Sequence, residues 1–217
     1  MRVGKGRVEA MNQSARICFV RHGETDWNVE LRMQGQIDIA LNARGQAQAA
    51  AIGRRFERCR VDALYSSDLV RARQTAQPVA QALGLSAVFL PELRERHFGR
   101  CEGLTFAEIE ARLPDDARAI VSRDPDYVSP GGESRRQHVA RVLACVAALV
   151  ERHRGQTIVV VTHGGVLDVV YRRVHGLPPQ APRDYPIPNA GINWLSIAGE
   201  AWSIDSWGET AHLAHLA

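Results

Sequence analysis

Lysine is almost missing from this chain: Lys5 stands alone among 27 basic residues, the rest being arginine. Schiff-base chemistry, which needs a lysine held inside a site, is thereby excluded. The arginine bias also means that position, not residue type, must single out any functional arginine. Cysteine is scarce as well, and Cys18, Cys59, Cys101 and Cys145 are scattered singly with no C-x-x-C pair. Free, mostly buried thiols are expected. Neither H-E-x-x-H nor a carboxylate-rich loop occurs, so no metal is expected. The glycine-rich Walker sequence is absent, and no G-x-G-x-x-G follows the first apolar strand, so P-loop and dinucleotide folds drop out and no cofactor is expected. With no run of eighteen apolar residues and no signal-peptide core, the chain reads as a cytoplasmic protein without a membrane partner. A net charge of +3 with no concentrated basic stripe argues against nucleic acid.

What is present is enough to bury a full core: 217 residues suit one domain with an inserted segment. Residues 1–14 carry charges and glycines without periodicity and read as an extension; residues 15–217 form the domain. Arg16 to Val20 reads as a strand, and Asn42 caps a helix running to about Cys59 with Ala49, Ile52 and Phe56 at helical spacing. Val61 to Ser66 is a second strand, Asp68 caps a helix that stops at Gly84, and Ser86 to Leu90 is a third strand. The alternation predicts an α/β fold: a three-layer sandwich with a mostly parallel central sheet and helices on both faces.

From about 93 to 132 the pattern breaks down. Thr105-Phe106-Ala107-Glu108 is a capping box for a short helix, but Pro114, Pro125, Pro130 and Gly131-Gly132 interrupt the stretch beyond it. A lid insertion with little regular structure is expected there. A long helix then runs from Ser134 to about His153, succeeded by an apolar strand, Thr157 to Thr162, a helix to His175, and a terminal hairpin of Ile192 to Ile197 with Ala201 to Ser206.

Two of these strands end alike. Ile17 to Val20 runs into Arg21-His22-Gly23, and Thr157 to Thr162 runs into His163-Gly164-Gly165. In open α/β sheets ligands bind outside the carboxyl ends of the strands. If the two are parallel neighbours, about 4.8 Å apart, their imidazoles flank one small anionic group.

Five segments taken in order resemble the histidine phosphatase, or phosphoglycerate mutase-like, superfamily: Arg21-His22-Gly23-Glu24-Thr25 with Trp27-Asn28; Ser67 to Ala76; Glu95-Arg96-His97-Phe98-Gly99; Gly131-Gly132-Glu133-Ser134; and His163-Gly164. The resemblance implies that His22 accepts the phosphoryl group, that His163 stabilises the transition state, and that Arg21 and Arg71 supply planar cationic forks. A backbone carbonyl on one ring nitrogen would fix the tautomer of the acceptor. Glu95 holds the family position for the general acid, which calls for a carboxyl of raised pKa; Glu92 and Glu102 are nearby alternatives. Gly23, Thr25, Asn28, Gln34, Gly35 and Gly164 would complete the phosphate cradle, and Glu24 would orient an arginine. His97, His138, His153, His175, His212 and His215 lack ligand spacing and read as core or surface residues.

The implied activity is hydrolysis of a small phosphomonoester. The alternatives are a cofactor-dependent phosphoglycerate mutase and a non-catalytic phospholigand-binding module. Only 37 residues lie between Glu95 and Glu133, a short insertion that is similar to the phosphatase branch. Phe98, Arg100, Phe106, Arg112, Arg118 and Arg123 lie where they could meet the rest of the substrate.

Overall fold

The computed structural model describes residues 14–216, so the extension assigned to residues 1–14 lies, but for its last residue, outside the described residues. The elements run β1 (Ala15–Arg21), α1 (Asp26–Val29), α2 (Ala43–Phe56), β2 (Ala63–Ser66), α3 (Val70–Leu83), β3 (Ala87–Phe89), α4 (Phe106–Arg112), α5 (Pro114–Ser122), α6 (Arg135–Arg152), β4 (Thr157–Thr162), α7 (Gly164–His175), β5 (Ile192–Ala198) and β6 (Ala201–Glu209). Short 3-10 turns occupy Pro91–Leu93, Gly99–Cys101 and Ala211–Leu216.

The six strands lie in the order β3-β2-β4-β1-β5-β6. β3, β2, β4 and β1 are mutually parallel, whereas β5 runs antiparallel to β1 and β6 antiparallel to β5. Strand period decides the layers. Ile17 and Phe19 with Ile158 and Val160 face a core completed by Val142 and Val146 of α6 and Val166 and Val170 of α7. Cys18 and Val20 with Val159 and Val161 face the opposite core, built with Ile52 and Phe56 of α2 and Ala72, Ala76 and Val79 of α3. Each fully buried large apolar side chain contributes on the order of 1.5–3 kcal/mol. Both faces are therefore covered, as the unbroken apolar runs of β1 and β4 require.

The two-sided sheet is also what brings the strand ends together. β1 and β4 pair with Arg21 opposite Thr162, so the next residues, His22 and His163, emerge side by side. Gly23 and Gly45 let α2 close over this edge: a Cβ on Gly45 would lie 2.0 Å from the Glu24 carbonyl oxygen.

Two sequence expectations are corrected. Asp68 does not cap α3; Leu69 occupies the N-cap without a side-chain hydrogen bond, while Asp68 forms a two-pronged ion pair with Arg94 at 2.5 and 2.7 Å. The 93–132 segment is also more regular than expected. Pro114 opens α5 at its first turn, where a fixed φ and a missing N–H cost nothing, and α4 and α5 share a small core of Cys101, Ile109 and Ala117. Thr105 and Glu108 form the expected capping box, and Gly84 ends α3 in the left-handed conformation.

Candidate active site

At the carboxyl edge of the sheet the His22 and His163 rings stand 5.2 Å apart between centroids. His22 Nδ1 lies 2.7 Å from the Gly23 carbonyl oxygen. A carbonyl can only accept, so Nδ1 carries the proton and the lone pair is on Nε2. Burial, then the charges of Arg71 and Arg21, push the His22 imidazole well below the usual histidine pKa, with the Gly23 carbonyl opposing. His163 is shifted the same way by burial, Arg71, His22 and Arg21, and its Nε2 meets the Ser67 hydroxyl at 2.8 Å. Both rings are thus neutral near pH 7.

Arg71 is fully buried, and its guanidinium donates to the carbonyls of Gly35 at 2.6 Å and Ile37 at 2.9 Å. Arg21 donates to the Ile187 carbonyl at 2.6 Å. The Nε atoms of both arginines are buried without a partner among the described residues. Burial lowers each of them to about 10, with Glu95 the largest opposing influence. A desolvated pair of cations with unused N–H groups is an anion site, since an unpaired buried charge is otherwise costly.

The Glu95 carboxylate is seated by two backbone N–H groups, that of Arg96 at 2.8 Å and that of Gly165 at 2.8 Å. Gly165, at the N-terminus of α7, is there for space: a Cβ would fall 1.9 Å from Glu95 Oε1. Glu92, by contrast, is exposed, and Glu102 accepts from the N–H groups of Gln36 and Phe98, tying the Gly35 loop to the 93–132 segment. Neither replaces Glu95.

The remaining cradle residues divide. The Gly35 carbonyl accepts from Arg71, and Gln34 is buried with Oε1 unpartnered among the described residues. A Cβ on Gly164 would lie 3.5 Å from Arg21 Nε. Gly23 donates its N–H to Thr75 Oγ1. Thr25 and Asn28 cap α1 reciprocally. Glu24 accepts from Asn42 Nδ2 and lies 3.9 Å from the exposed Arg44; it steadies the start of α2 and orients neither Arg21 nor Arg71. Four contributors escaped the sequence reading. Ser67 sits inside the quoted Ser67 to Ala76 motif, and Asn189, in a Pro-Asn-Ala-Gly turn, donates to the His22 carbonyl at 3.2 Å. Arg135 and His138, on α6, line the same cavity of about 490 Å³ as Arg21 and Glu95; their only sequence signal is helical spacing behind Ser134. Phe98 and Arg123 also reach this cavity, whereas Arg100 pairs with Asp116, Phe106 and Arg118 line a separate surface groove, and Arg112 is exposed.

Among the described residues no group of three histidine, cysteine, aspartate or glutamate side chains converges as metal ligands, and no helix is long and apolar enough to cross a membrane.

Known proteins resemble this chain. The chain is 38% identical over 212 residues to the metal-independent phosphoserine phosphatase of Arabidopsis thaliana, covering 96% of this chain and 87% of that one. It is 38% identical over 203 residues to phosphoglycerate mutase-like protein 4 of the same plant, covering 92% and 87%. The native mycobacterial glucosyl-3-phosphoglycerate phosphatase superposes with a TM-score of 0.80 at 34% identity, covering 91% of this chain and 100% of that one. A model of the histidine phosphatase superfamily (branch 1) matches residues 17–210, from β1 past β6, and with both strand-end histidines inside that span, the chain belongs to the histidine phosphatase superfamily.

Proposed function

We propose that the chain, a phosphoric monoester hydrolase, cleaves a small phosphomonoester through a phosphohistidine on His22. The observation that carries this reading is the His22 tautomer: Nδ1–H is held by the Gly23 carbonyl at 2.7 Å, so Nε2 presents its lone pair beside two desolvated arginines. Nε2 attacks phosphorus, the N–P bond forms and the P–O bond to the alcohol breaks. Arg21 and Arg71 neutralise the equatorial oxygens and His163 donates to one of them as charge builds. Glu95 in its acid form protonates the departing alkoxide; as the resulting carboxylate it takes a proton from water, which attacks phosphorus and frees His22.

Isomerase action needs the same residues and differs only in keeping water from the phosphoenzyme. The short insertion between Glu95 and Glu133 supports hydrolysis. The test is a rapid acid-free quench with labelled phosphomonoester: base-stable, acid-labile label on His22 is expected, together with stoichiometric free phosphate. Turnover by His22→Ala near the wild-type rate would refute the mechanism. Supplying 3-phosphoglycerate with and without 2,3-bisphosphoglycerate tests the alternative, because efficient conversion to 2-phosphoglycerate with negligible phosphate release would make the chain a mutase.

A further inference from the structure

The cavity of about 490 Å³ meets the phosphate site at Arg21, Glu95 and Gly164, and its volume is in the size range of pockets that enclose a whole metabolite, about 300–1,000 Å³. Its lining is rich in cations, with Arg96, Arg123, Arg135, Arg172 and Arg183, beside the neutral His138. Some of that charge is already matched. Arg172 pairs with Asp168 at 2.8 Å and donates to the Pro178 and Ala181 carbonyls, and Arg123 donates to the Ala181 carbonyl. Asp168 also accepts from Tyr185.

Arg96 and Arg135 are different. Neither guanidinium has an ion pair or hydrogen bond among the described residues; Arg96 lies 4.6 Å over the Phe98 ring, and Arg135 Nε is buried and unpartnered. Beside them His138 is 3% exposed, and its Nε2 is also buried without a partner among the described residues. Arg135 and His138 occupy the first turn and the next position of α6, which has no acidic residue in that turn. A helix N-terminus ordinarily attracts anions and disfavours cations, so an arginine placed there and left unpaired has a local reason only if an anion joins it. Burial and the nearby Arg96 charge hold Arg135 down to about 10, with Asp168 opposing.

Glu95 lines this cavity together with Arg21 and Arg96, acting on the charges of Arg21, Arg71 and Arg96 alike. The proposed acid marks the leaving-group oxygen, so whatever lies past it towards Arg96 is the alcohol part of the substrate. We propose that Arg96, Arg135 and His138 form a second anion site, and that the alcohol released on hydrolysis carries its own negatively charged group, a carboxylate or a second phosphate, remote from the scissile phosphate. This rests on the phosphatase reading above. Two arginines can grip either oxyanion in two-pronged fashion, and neutral His138 adds one N–H donor.

The experiment compares kcat/KM for three substrates that differ at one end: 3-phosphoglycerate, glycerol 3-phosphate and glycerol 1,3-bisphosphate, with p-nitrophenyl phosphate as control. A preference of at least about tenfold for the first or third over glycerol 3-phosphate is expected, chiefly in KM; the larger of the two preferences identifies the group as carboxylate or phosphate. Within each variant the preference should fall towards one in Arg135→Gln and, on a separate segment, Arg96→Gln, so that one informs if the other fails to fold. Hydrolysis of p-nitrophenyl phosphate with equal kcat/KM on all three substrates, or an undiminished preference in both variants, overturns the second site alone. No hydrolysis of any compound overturns the phosphatase reading instead.

Discussion

Glu95, the proposed general acid, is held by a glycine as much as by its own position. Gly165 both donates to Glu95 Oε2 and leaves the space that its carboxylate fills. Gly165→Ala would place a methyl group 1.9 Å from Oε1, so the carboxylate must move. Because proton transfer demands hydrogen-bond reach, a displaced acid should cost about 10²-fold in kcat on alkyl phosphates. The loss should be much smaller for p-nitrophenyl phosphate, whose leaving group needs little protonation. Glu95→Gln should show the same split in single-turnover phosphorylation rates. Equal slowing of both leaving groups would assign Glu95 a positional role. At this scale the sequence is legible where a motif surrounds the residue, as with His22 and Arg71, and silent where the partner is remote. Ser67 on His163 and Asn189 on the His22 carbonyl are separated from their partners by 96 and 167 positions.

At the scale of elements, the 93–132 segment rests largely on a small core of its own. Its own core is three buried residues, Cys101, Ile109 and Ala117, apart from the two large clusters flanking the sheet. Ile109 is completely buried there. Ile109→Ala should cost about 2–5 kcal/mol, a large share of what so small a cluster can supply. Hydrogen exchange should then quicken across α4 and α5 while β4 and α6 keep their protection. Uniform loss of protection would mean that the segment unfolds only with the whole molecule. The cap was readable here because it is local: Thr105 with Glu108 forms the reciprocal bonds that their spacing allows. Pro114 misled because a proline that breaks a helix and one that begins it look identical without knowing where the preceding turn ends.

For the whole molecule, buried neutral histidines link stability to pH. His22, His138 and His163 are all held well below the usual value, burial being the main cause in each. Above about pH 6.5, the unfolded-state value, these groups are neutral in both states and the pH has no purchase through them. Below it the unfolded chain binds protons that the native chain refuses, so stability present at neutral pH is lost as the pH falls. The slope approaches about 1.4 kcal/mol per pH unit for each histidine, roughly 4 for the three. Urea unfolding at pH 7.5 and 5.5 should show this fall, above the range where carboxylates titrate, and His138→Asn should remove about a third of it. A flat profile would contradict the neutral assignment on which the nucleophile depends.

The chain's periodicity and breaks determined, by themselves, the strands and helices, their alternation into a two-faced sheet, and the two histidines at strand ends, because each of these depends on neighbours a few residues away. Only the tertiary structure decided which charges remain unanswered. An arginine in so arginine-rich a chain is ordinary until its surroundings are known. Packing is what gives Arg100 and Arg172 carboxylates, Arg71 two loop carbonyls, and Arg96 and Arg135 no ionic partner among the described residues beside one shared cavity. Desolvation and pairing are properties of a place in space, and segments as distant as α6 and the Glu95 loop meet there only after the sheet has formed.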